Sequence, residues 1–292
     1  PIVSHQAYQT YSNGNTRTFQ AADAAGNRAS SSAPSVALTS YPAPLVTNPA
    51  TPACNSMTFT TSSMAPAGKK LTATGNNWLC VGGGTCANPG TSNLALGSNW
   101  TIETWYNAST LPANAGGWNT LVRGTANHHI IISKQAGTSG EIGVYNGGFY
   151  SSGFNIVSNI ASGWHHIAAV GSGGKTAFYV DGVKVGIANS QAIDNVVAVG
   201  NYQGGGQAFG EIDEVRIWNV ALPQNTISNY MTQGITSGHP NWNSMVAYFK
   251  MDGAGTNSAT GSAACGSCTA TLQGANWSSD VNFYTYTWTV SS

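Results

Sequence analysis

Short runs of β-branched and aromatic residues recur along the chain, and they restrict its fold more than any other feature. Each run is bounded by Gly, Asn, Ser or Asp, which favour turns. The runs are WTIETWYN, HHIIIS, EIGVYN, HHIAAV, TAFYV, VVAVG, EVRIW, VAYFKM and TYTWTV. In a chain of 292 residues this pattern predicts an all-β protein, either a sandwich or a jelly roll.

Two local signals place a hairpin and a helix. Asp181-Gly182 lies between two alternating runs in FYVDGVKVG, and this predicts a tight turn of the primed type. Ala221–Met231 is the one segment with helical spacing of its apolar residues.

Charged residues are scarce, at 7% of the chain against about 25% in ordinary soluble proteins. Lys plus Arg and Asp plus Glu cancel at ten each, so no basic field is available to attract nucleic acid or an anionic membrane. No apolar run approaches the ~18 residues needed for membrane insertion. With 41% hydrophobic residues and 36 Gly, we expect a sizeable core and an uncharged polar surface, as in an extracellular β-protein.

The two ends of the chain differ from its middle. Ser30–Pro52 is rich in Pro, Ser and Thr, which predicts a linker or an extended strap. The last ten residues alternate Thr with larger apolar side chains, namely Tyr284, Tyr286, Trp288 and Val290. Such a strand has one apolar face and needs a sheet to cover it. It can pair with N-terminal strands of its own chain or with those of the next subunit. The chain starts PIVSHQ, which suggests a processed or excerpted polypeptide.

Four motifs in the middle of the chain resemble the laminin-G-like jelly roll, a branch of the concanavalin A-like lectin/glucanase fold. They lie at Trp100–Asn107, Gly163–Val170, Thr176–Gly186 and Gly210–Leu222. VAYFKMDGAG and TATLQGANW resemble the closing strands of such domains in bacterial surface proteins. The first part, with NTRTFQAADAAGNRASS, is similar to the last strands of an immunoglobulin-like repeat.

This resemblance implies four segments. Residues 1–38 are expected to form partial immunoglobulin-like strands, and 39–53 a linker. Residues 54–282 are expected to form the jelly roll, and 283–292 a terminal strand pairing with the N-terminal region of the same or the next subunit.

The stretch GEIDEVRIW invites an enzymatic interpretation. Family-16 glycoside hydrolases share the fold class and carry their catalytic carboxylates on a strand reading E-x-D-x-E. Here Glu211 and Asp213 fill the first two positions, but Val215 occupies the third. Glu214 is expected to point to the opposite face because side chains alternate along a strand. We therefore predict no catalytic residue and no enzymatic activity.

Metal sites have few candidate ligands. Relatives of the laminin-G type hold Ca²⁺ at a sandwich edge, so calcium is a candidate cofactor, with Asp194, Asp252 and Asp280 as loop carboxylates. The pairs His128-His129 and His165-His166 cannot each chelate one ion, because adjacent strand residues face opposite ways.

Aromatic residues in Gly- and Asn-rich loops are the candidates for ligand binding. Trp78, Trp118, Tyr202 and Trp242 are expected to stack on sugar rings or to pack loops.

Cysteine spacing predicts two loop-closing disulfides, Cys80–Cys86 and Cys265–Cys268. A zinc site formed by the same four thiolates is the alternative. Cys54 is left without an assigned partner.

The sequence favours an extracellular, bacterial cell-surface protein that displays a lectin-like jelly roll and self-associates head-to-tail into a filament. The alternative is a carbohydrate-binding module of a larger adhesin or secreted hydrolase. In both cases the expected external partner is a glycan or another cell-surface ligand.

Overall fold

In the computed structural model, the described residues are 69–75, 77–83, 92–110, 118–202 and 207–279, together with the backbone of six strands near the two ends. The predicted positions Cys54, Cys86, Asp280 and Tyr284 lie outside the described residues. Of the tail positions Tyr286, Trp288 and Val290, only the backbone is described.

Strands dominate the secondary structure of the described residues. Its first strands are β1 (Ala7–Tyr11), β2 (Arg17–Ala22), β3 (Arg28–Ser32), β4 (Leu45–Val46), β5 (Ser56–Ser62), β6 (Lys69–Ala73), β7 (Trp78–Cys80), β8 (Trp100–Asn107), β9 (Trp118–Gly124), β10 (His128–Ser133), β11 (Glu141–Tyr145) and β12 (Phe149–Asn155). The remaining strands are β13 (Trp164–Ser172), β14 (Lys175–Val180), β15 (Val183–Ala188), β16 (Val196–Val199), β17 (Gly210–Trp218), β18 (Met245–Phe249), β19 (Thr271–Gln273), β20 (Asn276–Ser279) and β21 (Tyr286–Ser291). The described helices are α1 (Ile156–Asn159), α2 (Gln224–Tyr230) and the 3-10 turns Ala108–Thr110 and Trp242–Ser244.

One compact unit comprises residues 1–63 and 284–292. It contains the sheets β1-β2-β3 and β21-β5-β4. The tail strand β21 pairs antiparallel with β5 of its own chain, from Tyr286 opposite Thr61 to Ser291 opposite Ser56. β5 lies within residues 54–282, the range expected for the jelly roll, but it pairs with the tail strand.

The second unit, residues 64–283, is a jelly-roll sandwich of two antiparallel sheets. The seven-stranded sheet has the order β12-β11-β10-β9-β16-β7-β19. The eight-stranded sheet has the order β15-β14-β13-β8-β17-β6-β20, with β18 also paired to β17. The all-β jelly roll predicted from the sequence is confirmed.

The core lies between these two sheets and follows the period-two pattern of the sequence. In β8, Trp100, Ile102 and Tyr106 belong to the interior cluster. Glu103 and Trp105 alternate with them and therefore face the outside of the eight-stranded sheet, where α2 and the loop after it cover them. The hydrogen bond from Trp105 Nε1 to the Met231 carbonyl, 3.2 Å long, joins the sheet to that cover.

Both local predictions agree with the structure. Asp181 and Gly182 have φ of 48° and 76°, the positive values that a primed turn needs, and they join β14 to β15. The predicted helix is α2, which is shorter than the predicted segment and buries Ile227. No described helix has the length and apolar character of a membrane span.

Candidate functional site

A groove of about 460 Å³ lies on the outer face of the seven-stranded sheet. Neighbouring strands bring its walls together, because β9, β10, β11 and β12 are consecutive in the sheet order. The groove is lined by Trp118, His128, Ile131, Gln135, Tyr145, Gly148, Phe149 and Gln207.

Three aromatic rings form the apolar part of the groove. The Trp118 ring centroid lies 5.3 Å from that of Phe149 and 5.8 Å from that of Tyr145. The Tyr145 ring in turn contacts the His128 ring edge-on at 5.6 Å. These tilted and edge-to-face arrangements are favourable for aromatic pairs and hold the rings in place without a ligand.

Gly143, in the middle of β11, makes room for this cluster. A Cβ atom at this position would lie 2.7 Å from Phe149 Cε2 and would also collide with the Tyr150 carbonyl oxygen. The absence of a side chain therefore lets the Phe149 ring lie across the strand.

Replacing Gly143 by alanine is expected to lower the free energy of unfolding by about 1–3 kcal/mol, because the added methyl must displace Phe149 or the β11–β12 ladder. Urea denaturation gives the change. Gly148→Ala is the matched control, since a Cβ at Gly148 meets no atom within 4 Å. Equal stability of the two variants would contradict the prediction.

The polar part of the groove centres on Thr120, which is fully buried on β9. Its hydroxyl lies 2.8 Å from His128 Nδ1 and 2.6 Å from Gln207 Oε1. Burial, with a smaller contribution from the nearby Arg123 guanidinium, lowers the pKa of His128 to about 3, although Asp194 opposes the shift. His128 is therefore neutral at ordinary pH.

The four predicted ligand-binding aromatics lie in three different places. Trp118 lies in the groove. Trp78 packs against a small cluster that contains Tyr202, and the Arg123 guanidinium lies 4.0 Å above the Tyr202 ring. Trp242 packs in a different cluster, against the covered side of the eight-stranded sheet.

Sequence reasoning did not select Tyr145, Phe149, Gln135 or Gln207, and it treated His128 only as a metal candidate. The one available signal was the period-two position of Tyr145 in EIGVY, which places it on the face opposite to the core residues Ile142 and Val144.

The acidic residues of β17 are engaged in structural contacts. Glu211 is paired with Lys70 at 2.8 Å and accepts a hydrogen bond from Asn107 Nδ2 at 2.8 Å. Asp213 is fully buried and accepts the backbone N–H of Glu214 at 2.7 Å. Val215 belongs to the interior core.

The expected orientation of Glu214 is wrong. Glu214 has a φ of 52° and sits at a register shift between Asp213 and Arg216, so the strand gains an extra residue there. Its carboxylate consequently reaches Arg216 Nη2 at 3.0 Å and also accepts from the Tyr248 hydroxyl.

The loop carboxylate Asp194 closes the turn between β9 and β10. Its Oδ2 accepts hydrogen bonds from the backbone N–H groups of Ala126 and Asn127, at 2.8 and 3.1 Å. Burial raises its pKa, but these bonds and nearby His129 give a net decrease.

Asp252, the other described calcium candidate, is exposed. Within the described ranges, no three His, Cys, Asp or Glu side chains form a metal-binding group.

A disulfide joins Cys265 and Cys268, whose Cα atoms are 5.3 Å apart. Cys80 is buried in β7 and is also disulfide-bonded.

The sequence profile of a laminin G-like family, described as the concanavalin A-like lectin/glucanases superfamily, matches residues 81–228, just over half of the chain. A comparison with curated proteins found no match. A candidate carbohydrate-binding protein from Bacteroides ovatus ATCC 8483 has a similar structure, with a TM-score of 0.54 and 16% sequence identity over 96% of this chain and 88% of that chain.

Two further solved structures align over part of the chain. A heptameric SAP-like pentraxin from Limulus polyphemus gives a TM-score of 0.39 at 16% identity, over 56% of this chain and 82% of that chain. Domain 4 of an extracellular arabinanase from Geobacillus stearothermophilus, in complex with arabinotriose, gives a TM-score of 0.40 at 15% identity, over 60% of this chain and 81% of that chain. The profile match and the two-sheet jelly roll together show that the chain belongs to the concanavalin A-like lectin/glucanases superfamily.

Proposed function

We propose that this protein binds a glycan in the groove formed by β9–β12. The observation that carries the proposal is the ring cluster of Trp118, Tyr145 and Phe149 beside the polar side chains of His128 and Gln207. Ligand pockets typically combine aromatic walls with a few polar groups that fix orientation. A sugar ring has both an apolar C–H face and a rim of hydroxyl groups, so it matches this lining.

Binding without cleavage fits the placement of the carboxylates. Glycoside hydrolysis ordinarily needs two carboxyl groups flanking the scissile bond. Among the described residues, the groove lining contains neither Asp nor Glu. The residues at the hydrolase-like positions lie on the other sheet. Glu211 is paired there with Lys70, and Asp213 accepts a backbone hydrogen bond.

Replacing Trp118 or Phe149 by alanine is expected to weaken binding about thirtyfold, because loss of a central aromatic contact typically costs about 2 kcal/mol. The probe is a glycan microarray followed by calorimetric titration with the strongest glycan on it. Trp242→Ala is the control, since Trp242 packs on the other sheet, outside the groove.

Failure of the intact protein to bind any glycan on the array would refute the proposed function. Equal affinity of the Trp118→Ala, Phe149→Ala and Trp242→Ala variants would leave binding intact but refute its location in this groove.

The filament expected from the sequence receives less support than glycan binding. In this structure β21 pairs with β5 of the same chain, so no second copy is needed to pair with the tail strand. We retain head-to-tail exchange of β21 as a second proposal, because an identical strand could make the same pairing. A monomer in sedimentation velocity at high concentration would refute it. For both proposals, glycan binding and the filament, we also propose that the protein lies outside the cell. Recovery of the protein only from the cytoplasm would refute this location.

A further inference from the structure

We propose that Thr120 fixes the hydrogen-bonding polarity of the groove, so that His128 Nε2 accepts and the Gln207 amide donates, and that the groove thereby selects an uncharged sugar. This inference rests on the proposed function, because it concerns the same groove. Thr120 acts as a positioning residue: it contacts His128 and Gln207, and it is itself fully buried.

The direction of each hydrogen bond at Thr120 follows from the number of protons available. The Thr120 hydroxyl has one proton, and the carbonyl oxygen Oε1 of Gln207 can only accept. Thr120 must therefore donate to Gln207 across the 2.6 Å contact. The 2.8 Å contact with His128 Nδ1 then requires that Nδ1 carry the proton and donate to the hydroxyl. Because a neutral imidazole has one N–H, Nε2 is left as an acceptor.

The backbone supports this arrangement. The amide of Thr120 donates to the Gln207 carbonyl at 3.3 Å, which holds the loop containing Gln207 against β9. Since Oε1 of Gln207 is held by the hydroxyl, its NH₂ group is the part available to a ligand. The groove consequently presents an acceptor on His128 and donors on Gln207. A sugar hydroxyl is complementary to both, since it donates one proton and accepts through its lone pairs.

The lack of charge in the lining points to the ligand class. None of the eight lining residues that the structure describes is Lys, Arg, Asp or Glu. The groups that act electrostatically on His128 are Arg123, opposite it in the β9–β10 ladder, Asp194 and His129. Arg123 is committed to neutral acceptors, with Nη1 2.6 Å from Asn201 Oδ1 and Nε 3.0 Å from the Gly124 carbonyl. A carboxylate or sulfate in the groove would have no cation to pair with among these eight residues, so a neutral glycan is favoured.

The tautomer of His128 provides a test that does not depend on any ligand. Long-range ¹H–¹⁵N NMR of imidazole-labelled protein at pH 7, with the signal assigned by its loss in His128→Gln, is expected to show the Nδ1–H form. Thr120→Ser keeps the hydroxyl and is expected to preserve this form. Thr120→Val has a similar shape without the hydroxyl, and it is expected to shift His128 toward the Nε2–H form. A dominant Nε2–H form in the unmodified protein overturns the inference.

Binding supplies the second measurement, on an array that carries neutral oligosaccharides beside sialylated, sulfated and uronate-bearing ones. The unmodified protein is expected to bind neutral members. Thr120→Val is expected to bind them about tenfold more weakly, the effect of one lost hydrogen-bond arrangement, and Thr120→Ser within about twofold of the parent. Binding confined to acidic glycans refutes this inference but leaves the proposed function standing. Binding to none refutes the proposed function, while the NMR result still decides the role of Thr120.

Discussion

Replacing Arg216 by methionine is expected to lower the free energy of unfolding by about 3–5 kcal/mol, because the substitution leaves buried charge without its partner. Arg216 is only 2% exposed, on the covered side of the eight-stranded sheet. Its guanidinium lies 3.0 Å from Glu214 Oε2 and 3.7 Å from Glu103 Oε2. It also donates to the Tyr230 carbonyl at 3.1 Å and to the Gln233 carbonyl at 2.8 Å.

Most of the expected loss of stability arises at Glu103. It is 3% exposed, and burial alone would raise its pKa. His166 and Arg216 counter this effect, so that its pKa is lower than usual and the carboxylate stays ionised. Without Arg216, this buried carboxylate loses a cation, and the two carbonyls that tie the end of α2 and the following loop to the sheet lose their donor.

Urea denaturation at pH 7.5 measures the effect. The control is Lys250→Met: Lys250 also lies near the Tyr248 ring, at 5.7 Å against 5.5 Å for Arg216, but it is exposed. Its replacement is expected to change stability by less than about 0.5 kcal/mol. Adding Glu103→Gln and Glu214→Gln to Arg216→Met is expected to recover part of the loss, because it removes the unpaired charges. A loss below about 1 kcal/mol for Arg216→Met alone would contradict the prediction.

This cluster also shows where sequence reasoning succeeded and where it failed. The apolar character of Ile212, Val215 and Ile217 correctly predicted that they pack in the core, and Val215 takes the place of the third carboxylate of a hydrolase-like strand. Strict period-two alternation would instead place Ile212 on the face opposite to Val215 and Ile217. It failed at Glu214 because the extra strand residue reverses the alternation there. A non-glycine residue with positive φ is not apparent from composition, and the contacts that accompany it, with Arg216 and Tyr248, come from tertiary structure.

The groove was predictable only in part for a similar reason. Trp118 was a candidate because it is an aromatic residue in a Gly- and Asn-rich segment. Its neighbours Tyr145 and Phe149 come from other strands, and Gln207 reaches Thr120 across 87 positions of the chain. Such a set depends on the strand order β12-β11-β10-β9 and on the hydrogen bonds that join β9 to Gln207 and Ala208, neither of which is encoded in a local pattern.

Acidification from pH 7.5 to pH 5 is expected to remove about 2 kcal/mol of stability through each of His128 and His129. Burial lowers the pKa of His128 to about 3 and that of His129, packed edge-on to Trp100 in the core, to about 4. In the unfolded chain a histidine has a pKa of about 6.5. Between these values the unfolded state binds more protons than the folded state. The contribution of these two histidines to the free energy of unfolding is therefore complete above about pH 6.5. It is lost as the pH falls toward their folded-state pKa values.

His165 has the opposite sign and serves as an internal control. Burial lowers its pKa, but the Asp181 carboxylate, 2.7 Å from its Nδ1, gives a net increase. The contribution of His165 to the free energy of unfolding is complete below its unfolded-state pKa and disappears as the pH rises through its folded-state pKa. Removing His165 should consequently make the loss of stability on acidification larger, whereas removing His128 or His129 should make it smaller.

The measurement is the difference in free energy of unfolding between pH 7.5 and pH 5, obtained from urea denaturation of each variant at both pH values. His128→Gln and His129→Leu are each expected to reduce this difference by about 2 kcal/mol, and the double variant by about 4 kcal/mol. The readout is a change with pH, so a constant cost of filling the His129 site with leucine cancels. His165→Gln is expected to increase the difference. If the double variant kept the full pH dependence of the parent, the two histidines would not be the groups that titrate on unfolding. The neutral state of His128 in the groove would then have no support from stability measurements.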